Sequence, residues 1–220
     1  MRPWPLAPVD PCTGDPMNLW IHAMTTRAHG YTLVEAVIAV ALVVIVGAMS
    51  VPGIASSVAR SRVRGAAFHI AGRIAALRMQ AARRGANVAL RFQPDGIDYR
   101  YQVFADGNGD GVSSADIGAG RDIAVGSSER LGDIFTGVRF GLSNGCPLTD
   151  GARAPDSNPV RIGSSTLLSV SPLGTATSGS LYLRDATGTF SFAVVVLGAT
   201  GRTTLLGCDN ATGRWSANAR

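Results

Sequence analysis

The 220-residue chain contains no lysine: all 20 of its cationic residues are arginine. Histidine is nearly as scarce, at three residues (His22, His29 and His69), and none follows position 69. A histidine-based triad or a histidine-rich metal site is therefore excluded from most of the chain. The three cysteines, Cys12, Cys146 and Cys208, show no CxxC spacing, so a zinc ribbon or thioredoxin-type motif is absent. Neither GxGxxG after a strand nor GxxxxGK[ST] occurs, which removes the usual nucleotide-binding signatures. Aromatic residues make up only 6% of the chain, few for a surface that stacks nucleic-acid bases. We expect no enzymatic activity.

Acidic residues are missing from one long window. Between Glu35 and Asp95 there are eight arginines (60, 62, 64, 73, 78, 83, 84 and 91) and no Asp or Glu. Elsewhere 12 arginines face 15 acids, so the net charge of +5 is a local surplus. At 46% hydrophobic and 16% charged, the chain is neither disordered nor fibrous. Its length fits one domain, with or without a membrane or linker segment.

What is present in that window is residues 36–59, AVIAVALVVIVGAMSVPGIASSVA, 24 residues without a charge. As a helix they would extend about 36 Å, enough for a hydrocarbon core of about 30 Å. Arginines 60, 62 and 64 follow at once, whereas Arg27 is the only charge in the dozen residues before Tyr31. The positive-inside rule alone would place the C-terminal side in the cytoplasm. A cleavable secretory signal fits no better, because the apolar run is too long and Glu35 stands at its start.

Residues 29–36 read HGYTLVEA. A Gly, an aromatic residue, Thr, Leu, a β-branched residue and a Glu opening an apolar helix resemble the prepilin signature of type IV pilins and type II secretion pseudopilins. The resemblance implies that a prepilin peptidase cuts after Gly30 and methylates the new amino terminus at Tyr31. Glu35 then matches the fifth mature position, and Pro52 the twenty-second, where pilins often carry a helix-bending proline. Tyr31 departs from the commoner Phe but keeps the aromatic character. Glu35 of one subunit is implied to meet the terminal amine of its neighbour during assembly. Such a partner matters in lipid, where an unpaired ion is costly, and a carboxylate near a helix N-terminus is itself favoured by about 0.3–1 kcal/mol. The alternative is an interfacial glutamate with no partner. Residues 1–30 read as a leader. Residues 1–23 are Pro-rich with little charge, whereas Met24 opens the short leader MTTRAHG, so translation is expected to start at Met24.

Beyond the apolar run, Val63, Ala67, Ile70, Ile74, Leu77 and Ala81 step by fours and threes, an apolar stripe of helical period. Gly85 is a candidate C-cap. One helix is therefore expected over about 32–84, with a transmembrane half at 31–59 and an amphipathic half at 60–86. Residues 87–220 read as a β-rich head. Strands are expected at 88–93, 97–104, 138–142, 167–171, 180–184, 189–197 and 202–206, separated by Gly, Asn, Asp, Ser or Pro. The fold class is α+β: a long N-terminal helix packed on antiparallel sheet, type IV pilin-like. The blocks LLSVSPLGTATSGSLYL (167–183) and FAVVVLGATGRTTLL (192–206) resemble the GspH/FimT branch of minor pseudopilins and minor pilins.

The resemblance implies an inner-membrane, single-pass protein with its head in the periplasm. Its partners would be the prepilin peptidase, other pseudopilins or minor pilins, and the inner-membrane assembly platform. It implies a structural subunit of a type II secretion pseudopilus or a type IV pilus tip. In an oxidising periplasm, Cys146 and Cys208 are expected to pair, stabilising by about 4 kcal/mol in the chain-entropy model; two free thiols are the alternative. Asp106, Asn108 and Asp110 sit at calcium-loop spacing, with Asp116 one position short of the expected twelfth-position Glu. This weak Ca²⁺ candidate competes with a plain acidic, Gly-rich turn. Some members of the branch bind DNA through basic residues of the head, and Arg202 after Gly201 is the candidate contact here. A second arginine is missing, because Thr203 and Thr204 follow. The arginine window is better explained by the exposed side of the helix facing neighbouring subunits or lipid headgroups.

Overall fold

A helix needs its first amides satisfied, and the sequence supplies the means at Thr32-Leu33-Val34-Glu35, the T-x-x-E pattern of a capping box. In a computed structural model describing residues 31–151 and 158–217, helix α1 spans Leu33–Arg84. The readings placed on Gly30, on the 1–30 leader and on Met24 lie outside the described residues. The chain divides into two compact units, Met1–Val46 and Gly47–Arg220.

In the first unit, the described residues are 31–46. Leu33, Val34, Val37, Ile38, Val40, Leu42, Val43, Val44, Ile45 and Val46 are all exposed. The apolar 18-residue window of α1 has mean hydropathy 2.6 and none of it is covered by the rest of the chain. This helix is long and apolar enough to cross a membrane.

The second unit begins with the remainder of α1. Ser56 Oγ and Ser57 Oγ both donate to the Gly53 carbonyl, at 2.9 and 3.0 Å, so these hydroxyls are satisfied within the helix. The expected stripe is the buried face: Val63, Ala67, Ile70, Ile74, Leu77 and Ala81 are at most 1% exposed, and Ala66 joins them. Helix α1 ends at Arg84, and Gly85 follows with φ +63°, the left-handed terminator that glycine adopts at least cost.

Among the described residues ten strands follow, in two antiparallel sheets. They are β1 (Val88–Asp95), β2 (Asp98–Ala105), β3 (Ile123–Arg130), β4 (Val138–Phe140), β5 (Val160–Ile162), β6 (Leu167–Val170), β7 (Gly179–Asp185), β8 (Ser191–Leu197), β9 (Arg202–Asp209) and β10 (Arg214–Ser216). One sheet runs β3-β2-β1-β6; the other runs β10-β9-β8-β7-β4, with β5 also on β7. Strands β4 and β5 lie end to end along the same edge of β7, opposite Leu183–Asp185 and Gly179–Leu181 respectively. Tyr182, between them, accepts from the Gly141 amide and donates to the Pro159 carbonyl.

Alternation of side chains directs one face of each sheet to a common core with α1. Val88, Leu90, Phe92, Tyr101 and Leu168 come from the first sheet, and Val138, Phe140, Leu181, Leu183 and Val194 from the second. Edge-to-face contacts between Phe92, Tyr99, Tyr101 and Phe140 join the sheets. The α+β layout agrees with expectation. The strand bounds shift modestly: Ile97 is a fully turned residue before β2, Leu142 and Ser171 fall outside strands, and β9 continues to Asp209. Strands β3, β5 and β10 and the short helices α2 (Ser114–Gly118) and α3 (Leu131–Ile134) are additions.

Candidate functional site

The N-terminal end of α1 gathers the residues singled out first. Thr32 Oγ1 accepts from the Glu35 amide at 3.2 Å, and the Thr32 carbonyl accepts from the Ala36 amide at 3.1 Å. Thr32 is therefore the helix cap, and Glu35 stands in the first turn, where a carboxylate is favoured by the orphan amides and the helix dipole. Tyr31, outside the helix, is 84% exposed. Gly30, the other half of the expected processing site, lies outside the described residues. Pro52 falls within the span of α1.

The arginines that follow the apolar run are tied to aromatic and acidic partners. The Arg60 guanidinium lies 4.7 Å from the Phe190 ring centroid, and that of Arg64 lies 5.8 Å from Phe68. Arg73 Nη2 is 2.6 Å from Glu129 Oε1 on β3. Glu129 also faces His69, with Nε2 and Oε2 3.9 Å apart, and His69 Nε2 is 3.2 Å from Tyr101 Oη. This group ties α1 to β2 and β3.

The expected calcium residues do not converge. Asp106 Oδ1 accepts from the amides of Asn108 and Gly109, and its Oδ2 accepts from Gly111. Asn108 Nδ2 donates to Asp110 Oδ2 at 2.9 Å. Asp116 accepts from Ser113 Oγ and pairs with Arg121 Nε, each at 2.6 Å. Asp122, unflagged by the sequence, accepts from the Gly107 and Ser113 amides. These carboxylates build the β2–β3 connection, including the capped α2 helix. Among the described residues no group of three or more His, Cys, Asp or Glu is placed to hold a metal ion. Burial opposes ionisation of Asp106, but the Gly109, Gly111 and Asn108 amides outweigh it and hold its carboxyl below the usual range.

Cys146 and Cys208 form a disulfide, with Cα atoms 6.2 Å apart. It is one of several fastenings that hold the 141–151 segment over the outer face of the second sheet. Ser143 is buried against Ser191, with hydroxyls 2.5 Å apart. Trp215 Nε1 donates to the Pro147 carbonyl at 2.9 Å, and the Thr149 amide donates to Tyr182 Oη at 3.0 Å. Leu148, Tyr182 and Ala193 form a second small core beneath. The sequence showed only the cysteines of this arrangement.

Arg202 is exposed at the first position of β9. The turns flanking it are close-packed: a Cβ on Gly201 would lie 2.5 Å from the Gly174 carbonyl oxygen and 3.2 Å from Arg78 Nε. The S-P-L-G turn and the T-G-R turn therefore meet over Arg78 of α1.

Comparison with protein-family models, with curated proteins and with solved structures returned no match for this chain.

Proposed function

We propose that the chain is a minor pseudopilin or minor pilin, a structural subunit held in the inner membrane by the first part of α1 until it joins a short filament. The observation that carries this reading is the pairing of two contrasting stretches on one helix. Its beginning is apolar and uncovered, whereas its later turns bury the stripe from Val63 to Ala81 against two sheets. An uncovered apolar helix of this length needs lipid or other helices as its surroundings. The prepilin-like HGYTLVEA block stands at its start.

In this mechanism a prepilin peptidase cuts between Gly30 and Tyr31, with the head in the periplasm. The new amine lies one turn from Glu35, and in the filament the carboxylate of one subunit pairs with the amine of the next. The protein is a substrate of processing and an assembly part, with no chemistry of its own. N-terminal sequencing of the membrane-extracted protein tests this: a chain beginning at methylated Tyr31 is expected, and a chain left uncut after Gly30 overturns the reading.

A further inference from the structure

Strands β4 and β7 set two arginines directly opposite one another, Arg139 against Arg184. Like charges at such a cross-strand position are destabilising. Neither guanidinium forms an ion pair with a carboxylate among the described residues. The Nε atoms of both are buried and meet no hydrogen-bond acceptor among those residues. The adjacent acid, Asp185, is committed elsewhere: Oδ1 accepts from the Phe190 amide, and Oδ2 from the Thr187 amide and hydroxyl. Burial, and then the Arg139 charge, push the Arg184 guanidinium below its ordinary pKa.

Arg184 is held in place by backbone. A Cβ on Gly141 would lie 2.7 Å from its Nε and 2.9 Å from its Cδ, and one on Gly188 would lie 3.2 Å from its Nη1. Glycine at both positions gives the side chain its bed. Arg184 lines an open cleft of about 760 Å³ between the β1–β2 turn and the 141–148 segment. This volume falls in the range of about 300–1,000 Å³ usual for ligand clefts. Tyr99, Ser143, Asn144 and Asn158 add neutral polar groups to the wall, and Phe140 adds an apolar one. Arg161 of β5, opposite Ser180, lies on the same outer face of the second sheet and is exposed.

We propose that Arg139 and Arg184 form a carboxylate-binding site, and that the cleft receives a segment of a partner polypeptide carrying an Asp or Glu side chain. A guanidinium fork matches a carboxylate in two parallel hydrogen bonds, and an anion between the two arginines converts their repulsion into attraction. The wall favours a peptide over a nucleic acid. It mixes apolar surface with neutral polar groups, whereas nucleic-acid grooves string cations along the backbone. The site stands apart from the filament reading, because it needs neither cleavage after Gly30 nor the Glu35 pairing.

Full-length protein in non-ionic detergent tests it by calorimetric titration. The probes are acetyl-Ala-Ala-Glu-Ala-Ala-amide, its Gln counterpart, inorganic phosphate and a short DNA duplex. We expect saturable binding of the Glu peptide, at least tenfold weaker binding of the Gln peptide, and at least tenfold loss in R184Q and in R139Q. R83Q, at the end of α1, binds as the wild type does. R184K, which keeps the charge but loses the fork, binds the Glu peptide more weakly than the wild type and separates recognition from misfolding, with unchanged melting curves as the check. The proposal is overturned if the Glu peptide fails to bind, if both peptides bind equally, or if R184Q binds as the wild type does. It is also overturned if phosphate or the duplex, and not the Glu peptide, shows the arginine dependence.

Discussion

Tyr101 Oη lies 3.2 Å from His69 Nε2, and through this contact a residue of β2 that is 1% exposed meets the only histidine among the described residues. Burial, and then the negative charge of Glu129, push the tyrosine pKa up, so its hydroxyl stays protonated at neutral pH. Tyr101→Phe removes the hydroxyl from this contact and is expected to cost about 1 kcal/mol, the usual net value of a hydrogen bond. Urea unfolding of the detergent-solubilised protein measures it; a change below a few tenths would mean the contact contributes nothing.

Asp95 is held between two arginines: the Arg100 hydrogen bond and then the Arg130 hydrogen bond lower its pKa, against the effect of burial. Arg130 Nε is 2.6 Å from Asp95 Oδ2. A carboxyl whose folded pKa lies below its unfolded value of about 3.9 contributes stability above that value, which is lost as pH falls through the folded pKa. Asp116 works in the same direction, chiefly through Ser113 and then Arg121. We expect urea midpoints to be flat near neutrality and to drop below about pH 4. Asp95→Asn should lower the midpoint at pH 7 and make the acid limb shallower; parallel curves would contradict the assignment.

The Cys146–Cys208 bridge closes a separation of 62 residues. In the chain-entropy model this stabilises by about 4 kcal/mol, an upper figure. The double variant C146S/C208S should therefore melt well below the wild type, and reductant should bring the wild type down toward it. The Ser143–Ser191, Thr149–Tyr182 and Trp215–Pro147 contacts remain in the variant. Limited proteolysis within 141–151 should rise in step with the loss of melting temperature.

Glu35 stands in the first turn of α1, and the proposed function adds an intermolecular role that can be separated from this local one. Thr32→Ala removes only the cap, at a cost of about 1 kcal/mol to the helix start. Glu35→Ala removes the carboxylate. If Glu35 pairs with a neighbour's amine, E35A abolishes incorporation into filaments while T32A retains most of it. Equal defects would reduce Glu35 to a helix-start residue.

Gly201 adopts φ +59°, and an added Cβ would meet the Gly174 carbonyl at 2.5 Å. Gly201→Ala therefore combines backbone strain with a clash against main chain. A loss of at least 1 kcal/mol is expected by urea unfolding.

The helix and its buried stripe were readable from sequence because period and burial coincide: Val63 to Ala81 face the core, and Gly85 ends the helix as glycines do. Strand β3 was not, because Ile123–Arg130 is largely exposed, interrupts its β-branched residues with Gly126 and lacks the alternation that marks a half-buried strand. Strands β5 and β10 are three residues each, too short for a period to show. The acids of 106–122 matched a calcium spacing because alternate oxygens also suit turn amides, and here the amides take them. The T-x-x-E cap at Thr32 was legible in principle but was hidden behind the stronger pattern that shares its residues. The Arg139–Arg184 pair required strand register, which no local pattern encodes.

The two half-strands on β7 carry a consequence for how this protein can vary. The chain leaves the sheet at Gly141 and returns at Pro159, and both ends are hydrogen-bonded to the one residue Tyr182. The first part of that excursion is fastened to the sheet by the Cys146–Cys208 disulfide and by the Ser143–Ser191, Pro147–Trp215 and Thr149–Tyr182 contacts. Changes of length after that fastening and before Pro159 leave the ladder on either side in register, since lengthening a closed loop costs only about 0.6 kcal/mol per doubling. Related chains that meet different partners can then differ most between positions 150 and 158, with the surrounding sheet unchanged.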